Sequence, residues 1–147
     1  MSATALARAA TVVGLTVFAD QATKAIAVAS LARGEEVNVF LGLDMTYVRN
    51  EGVAFGALAG GGALVVALIA LALLALLTYF ALNSQVPLLW LPVGLVLGGA
   101  LGNLADRART GAVVDFIDPI AWPAFNLADA AIVFGVLALL YVVEPGR

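Results

Sequence analysis

The sequence predicts an all-α membrane protein that carries a small β element, built as one domain of 147 residues. Three observations predict it. Hydrophobic residues make up 63% of the chain and charged residues only 12%, with a mean hydropathy of +1.07, whereas a soluble globule has about a quarter of its residues charged. From Gly52 to Ala105 there are 54 consecutive positions without a charge, room for two spans of about 20 residues each. Between Arg33 and Asn50 the pattern changes, and apolar residues recur at every second position, the period of a strand.

The same composition excludes several classes of function. A net charge of −3 and a pI near 4.6 argue against a nucleic-acid partner, which calls for a basic patch. Cys and His are both absent, which removes disulfides, thiolate chemistry, His-based triads and the commonest zinc ligands. No metal and no cofactor is expected. Serine occurs only as Ser2, Ser30 and Ser84, so catalysis is left to carboxylates, amides, Lys and Arg.

In chain order, the first membrane helix is expected over about residues 5–31. Arg8 followed by Ala9 to Ala19 also fits a cleaved signal peptide, but the apolar pattern resumes at Ala25-Ile26-Ala27-Val28-Ala29, which favours a span. Asp20 and Lys24 stand at i and i+4 and share one helix face. They suit either a mutually neutralised structural pair or a functional one, and in both cases that face should avoid lipid. Val37, Val39, Leu41, Leu43, Met45 and Tyr47 then alternate around Gly42 and predict a hairpin over about residues 35–50. An open sheet edge cannot stand in hydrocarbon, so the hairpin must lie at the interface or against the helices.

Asn50-Glu51-Gly52-Val53-Ala54-Phe55-Gly56 follows, where the glycines permit close backbone approach and Asn50 offers both a donor and an acceptor. Helix two is expected over about residues 61–82. Asn83-Ser84-Gln85-Val86-Pro87 is the turn into helix three, over about residues 88–105. Gly94, Gly98, Gly99 and Gly102 on helix three suit close helix packing. Asp106 beside Arg107 reads as an interfacial ion pair or as part of a site. A third strand is expected over about residues 112–118, where Val113-Val114-Asp115-Phe116 is β-branched and short. Helix four follows Pro123 over about residues 126–143, with Asn126 as N-cap and Asp129 at the third helical position, where a negative charge suits the helix dipole.

Asp115 and Asp129 are the residues this arrangement singles out. An Asp at the centre of a membrane helix costs roughly 2.5 to 3.5 kcal/mol, so its presence calls for a use. Four spans with a short turn between the second and third put the loop over 33–60 and the loop over 106–125 on the same side of the membrane. Asp20, Asn50 to Gly56, Asn103 to Arg107, Asp115 and Asn126 to Asp129 all gather at that end. Two carboxylates a few ångströms apart share one proton, and such a pair does acid/base chemistry. A small proton-coupled transporter or channel is the competing reading, but it would place its carboxylates near mid-membrane.

Five motifs carry a resemblance. Asp20-Gln21-x-Thr23-Lys24, Asn50-x-Gly52-x-Ala54-Phe55-Gly56, Gly98-Gly99-x-x-Gly102-Asn103-x-x-Asp106-Arg107, Val113-Val114-Asp115-Phe116 and Phe125-Asn126-x-Ala128-Asp129 occur in this order along nearly the whole chain. The sequence resembles the bacterial lipoprotein signal peptidases (signal peptidase II). That resemblance implies four transmembrane helices with a short extracytoplasmic β-cradle in the bacterial cytoplasmic (inner) membrane. It implies an intramembrane aspartic endopeptidase that cleaves diacylglyceryl-modified prolipoproteins on the N-terminal side of the lipidated cysteine. The catalytic dyad falls on Asp115 and Asp129, with Asp20, Lys24, Asn50, Gly52, Asn103, Asp106, Arg107 and Asn126 binding substrate or supporting the dyad. The expected partners are the lipidated precursor and membrane lipid, and the expected state is a monomer. Charge alone would orient the chain the other way: Lys24, Arg33, Arg49, Arg107 and Arg109 lie on the motif side and only Arg8 and Arg147 opposite, which the positive-inside rule reads as cytoplasmic.

Overall fold

The computed structural model describes residues 2–52 and 62–144, in the order α1 (Ala3–Ser30), β1 (Glu36–Phe40), β2 (Leu43–Asn50), α2 (Gly62–Leu82), α3 (Trp90–Thr110), β3 (Val113–Pro119) and α4 (Leu127–Val143). Residues 53–61 lie outside the description, and with them Ala54, Phe55 and Gly56 of the second motif and the expected start of helix two. α1 is long and apolar enough to cross a membrane, while Ala67–Leu82 and Leu127–Val143 are shorter apolar helices. Large apolar side chains point outwards along all three, including Leu15, Phe18, Leu71, Leu74, Phe134 and Leu137.

α3 is the central helix, packed on α1 and on α4, with α2 attached to it at one end. Small residues set how closely its neighbours approach. A Cβ at Gly98 would lie 2.6 Å from the Thr16 Cβ of α1, and one at Gly99 would run into the Ala128 carbonyl oxygen of α4. Dispersion rises as backbones close to this distance, and polar groups on facing helices come within hydrogen-bonding reach. Ala5, Ala9, Phe80, Leu89 and Val93 form the buried apolar cluster. Ser2 starts α1, its hydroxyl accepting from the Ala5 N–H, and its own N–H donates to the Ser84 hydroxyl.

One expected boundary is corrected: α3 does not end at Ala105 but continues through Asp106 and Arg107 to Thr110. Charged residues mark where a helix leaves hydrocarbon, not where its hydrogen bonds stop. The stop is Gly111, at φ 77°, whose N–H caps the Arg107 carbonyl in the left-handed conformation that favours glycine. The chain then turns back into β3. The three strands form an antiparallel sheet in the order β1-β2-β3, with Val48 opposite Asp115 and Asn50 opposite Val113. Register shifts between Asn38 and Phe40 and between Met45 and Val48 interrupt the ladder, and such bulges re-aim side chains beside functional sites.

Candidate active site

The segment between Asp115 and Asp129 is folded back on itself. Phe125 accepts at its carbonyl from the N–H groups of Phe116 and Ile117, and its own N–H donates to the Ile117 carbonyl. This clamp brings the first residue before α4 alongside β3. Asn126 then caps α4, its Oδ1 accepting from the Asp129 N–H at 2.9 Å while Asp129 Oδ2 accepts from the Asn126 N–H at 3.3 Å. The reciprocal pair satisfies two N–H groups that the helix leaves unbonded. It also fixes the Asp129 carboxylate.

Five amide and carboxylate side chains meet there. Asn126, fully buried, donates from Nδ2 to Asp115 Oδ1 at 2.7 Å and to Asn103 Oδ1 at 3.2 Å. Asn103 donates from Nδ2 to Asp129 Oδ1 at 2.7 Å. Asn50 donates to Asp115 Oδ2 at 3.0 Å, and its own Oδ1 accepts from the Gly52 N–H at 2.9 Å. Gly52 sits at φ 89°, a conformation costly for other residues, and it directs the Asn50 amide towards Asp115. The two Asn-x-x-Asp segments of α3 and α4 therefore face each other through Asn103, Asn126 and Asp129.

Behind them lies a buried ionic cluster. Lys24 pairs with Asp20 Oδ2 at 2.9 Å and Asp106 Oδ2 at 2.8 Å, and donates to Asn103 Oδ1 at 3.0 Å. Asp20 Oδ1 accepts from the Ala128 N–H at 2.9 Å, adding a second carboxylate to the positive end of the α4 dipole. Gly102 leaves room for it, since a Cβ there would lie 2.5 Å from Asp20 Oδ2. Asp106 also accepts from the Val114 N–H at 3.3 Å and so ties α3 to β3.

Sequence reasoning leaves Gln21 out of the site, although it stands in the first motif. Its Nε2 donates to Asp20, to the Gly102 carbonyl and to Asp106, and its Oε1 accepts from Arg109 at 2.7 Å. Arg107 is the site candidate that the structure does not bring to the carboxylates. It is exposed, and among the described residues Asp106 pairs with Lys24 and not with its neighbour. Successive residues on a helix point about 100° apart, so Asp106 faces inwards and Arg107 does not.

Burial pushes the Asp115 carboxyl above its ordinary range. Hydrogen bonds from Asn50 and Asn126 oppose the rise, the nearby Asp129 charge adds to it, and Lys24 opposes it again. A carboxyl raised in this way beside a second carboxylate is the arrangement in which one member holds a proton and the other does not.

A family model described as signal peptidase (SPase) II matches residues 12–143. A lipoprotein signal peptidase of Pelotomaculum thermopropionicum is 42% identical over 132 residues, which cover 88% of this chain and 87% of that protein. One from Syntrophomonas wolfei is 45% identical over 135 residues, 90% and 91% of the two chains. A solved bacterial membrane enzyme matches at a TM-score of 0.80 with 32% identity, over 94% of each chain. Nothing in these likenesses supports a transporter or channel. On the match of the family model and of relatives along most of its length, the chain belongs to the signal peptidase II family of aspartic proteases.

Proposed function

We propose that Asp115 and Asp129 are the catalytic dyad with which this chain removes the signal peptide from diacylglyceryl-modified prolipoproteins, on the N-terminal side of the lipidated cysteine. Peptidase activity on lipoprotein precursors follows from the family. One observation carries the assignment of the dyad: two carboxylates from different elements, β3 and α4, are each held by one oxygen on a shared pair of buried amides.

In this mechanism Asp115 holds the shared proton and polarises the scissile carbonyl, and the ionised Asp129 takes a proton from the attacking water. The tetrahedral oxyanion that forms is met by the Asp115 proton, and the departing amine takes a proton back from Asp129. Asn50, Asn103 and Asn126 hold both carboxylates so that no reorientation is needed at the moment of reaction. An apolar cleft of about 490 Å3 between α1 and α4 is lined by Val12, Leu15, Ala19, Leu127 and Phe134 among others. It suits an acyl chain or the apolar stretch of a signal peptide.

The reading includes four membrane spans and a dyad facing the extracytoplasmic side of the cytoplasmic membrane, in a monomer. The charge distribution is compatible with that orientation once the cations at the site are considered. Lys24 is buried between Asp20 and Asp106, Arg109 donates to Gln21, and Arg49 donates to the Thr110 carbonyl. With these three held in the fold and set aside, Arg33 and Arg107 on the motif side stand against Arg8 and Arg147 opposite, and the count favours neither orientation.

The deciding experiment incubates purified protein with a diacylglyceryl-modified precursor beside its unlipidated twin. Cleavage of the lipidated precursor alone is the expected result, and equal cleavage of both would remove the lipid from the specificity. A second expectation concerns pH. The Asn50 hydrogen bond holds the Asp115 carboxyl down, so Asn50→Ala should let it rise further. Activity is lost on the alkaline side when Asp115 gives up its proton, and that limb should therefore move to higher pH in the variant. An alkaline limb at the wild-type position, measured on the lipidated precursor, would dissociate Asn50 from the dyad.

A further inference from the structure

Lys24 is a residue that no proton-transfer step requires, yet its ammonium is placed with care. All three of its N–H donors have an acceptor in the buried cluster, on Asp20, Asp106 and Asn103. A primary amide is nearly symmetric in shape, so packing alone would accept Asn103 in either of two directions. Hydrogen bonding distinguishes them. Asn103 Oδ1 lies 3.0 Å from Lys24 Nζ and 3.2 Å from Asn126 Nδ2, while its Nδ2 lies 2.7 Å from Asp129 Oδ1. Turned over, the same side chain would present N–H groups to a cation and to another N–H group, and its carbonyl oxygen to a carboxylate.

The direction of Asn103 then fixes that of Asn126. One hydrogen of the Asn126 amide goes to Asn103 Oδ1, the other goes to Asp115 Oδ1, and its oxygen takes the Asp129 N–H. Resting on the dyad proposed above, we infer that Lys24 is a positioning residue whose positive charge sets the direction of both amides, and through them the orientation of each catalytic carboxylate.

Stability is a poor explanation for the charge itself. Replacing a buried ion pair with well-packed apolar residues is often neutral or stabilising, and α1 is already held against α3 by Gly98 and Thr16. Asp20 and Asp106 keep the cation in place, and Gln21 donates to both of them. Each of these residues therefore acts at one remove from the reacting atoms.

The test is a double-mutant cycle on Lys24→Met and Asn103→Ala, with kcat and KM measured on the lipidated precursor. Lys24→Met should lower kcat by up to about 100-fold with KM little changed, and Lys24→Arg should restore part of the loss. In the Asn103→Ala background the lysine substitution should cost less than about threefold, because the intermediary is already gone. The pH profile gives a readout that a packing role would not move. Asp115 is faced by the charges of Asp129 on α4 and Lys24 on α1, and removing the cation should carry the alkaline limb upwards.

Losses that multiply in the double variant, or an effect on KM alone, would overturn the assignment. Should Lys24→Met unfold, Lys24→Met combined with Asp106→Asn removes one charge of each sign and takes its place in the cycle. Asp115→Asn is assayed alongside. Activity retained there sinks the dyad, whereas an inactive Asp115→Asn with a multiplicative cycle sinks only the role of Lys24.

Discussion

Asp115→Asn and Asp129→Asn are each expected to reduce cleavage of a lipidated precursor by at least about 10³-fold, equivalent to about 4 kcal/mol of barrier. The substitution is close to isosteric, so what it removes is the ability to gain and lose a proton. The folded state should survive. Asp115 accepts from Asn50 and from Asn126 on its two oxygens, and an Asn there keeps one of those bonds. Losing the other costs about 1 kcal/mol, partly offset because the neutral amide no longer has to be buried as an ion. Asp129→Asn likewise keeps an oxygen for either the Asn103 amide or the Asn126 N–H. Because the two carboxyls act as a unit, the double variant should be no slower than either single one. The measurements are turnover and the thermal midpoint of unfolding. Turnover near the wild-type rate in either variant, with its midpoint intact, would leave the carboxyls a structural pair.

The elements that position this site were legible where local chemistry decides them. The alternation from Val37 to Tyr47 gives the hairpin, since period two and the turn at Gly42 are properties of the segment itself. Asn126 and Asp129 are legible as a helix start for the same reason. The partner of Asp106 was not legible. Adjacency in sequence suggests Arg107, but the carboxylate faces Lys24, which lies 82 positions earlier and is brought close by the small residues of α3. Gln21 was missed because an amide beside an acidic residue is an ordinary surface pairing. What makes it a site component is the helix packing that puts the Gly102 carbonyl and Asp106 within its reach. The end of α3 is set not where the uncharged run stops, at Ala105, but by the glycine at 111.

Asn126 combines the two kinds of information, and its replacement separates them. Asn126→Ala removes the N-cap of α4, which costs about 0.5 to 2 kcal/mol. It also leaves the buried Asp115 Oδ1 without a donor, at about 1 to 3 kcal/mol, while Asn103 Oδ1 loses one of two donors and keeps Lys24. A fall in the unfolding midpoint and a loss of cleavage of about 100-fold are both expected. Asn126→Asp makes a different change. Asp caps a helix as well as Asn does, so the Asp129 N–H keeps its acceptor and α4 its start. Both donors are lost, and a third carboxylate now faces Asp115. Like charges at that distance raise one another's affinity for protons, so the pair no longer carries its single proton between two matched groups. Asn126→Asp should therefore be more stable than Asn126→Ala at acid pH, where the added carboxyl is protonated, yet no more active. If Asn126→Asp instead turned over within about threefold of wild type, the amide would be a helix cap alone. The frame shared by Asp115 and Asp129 would then have to rest on Asn103 and Asn50.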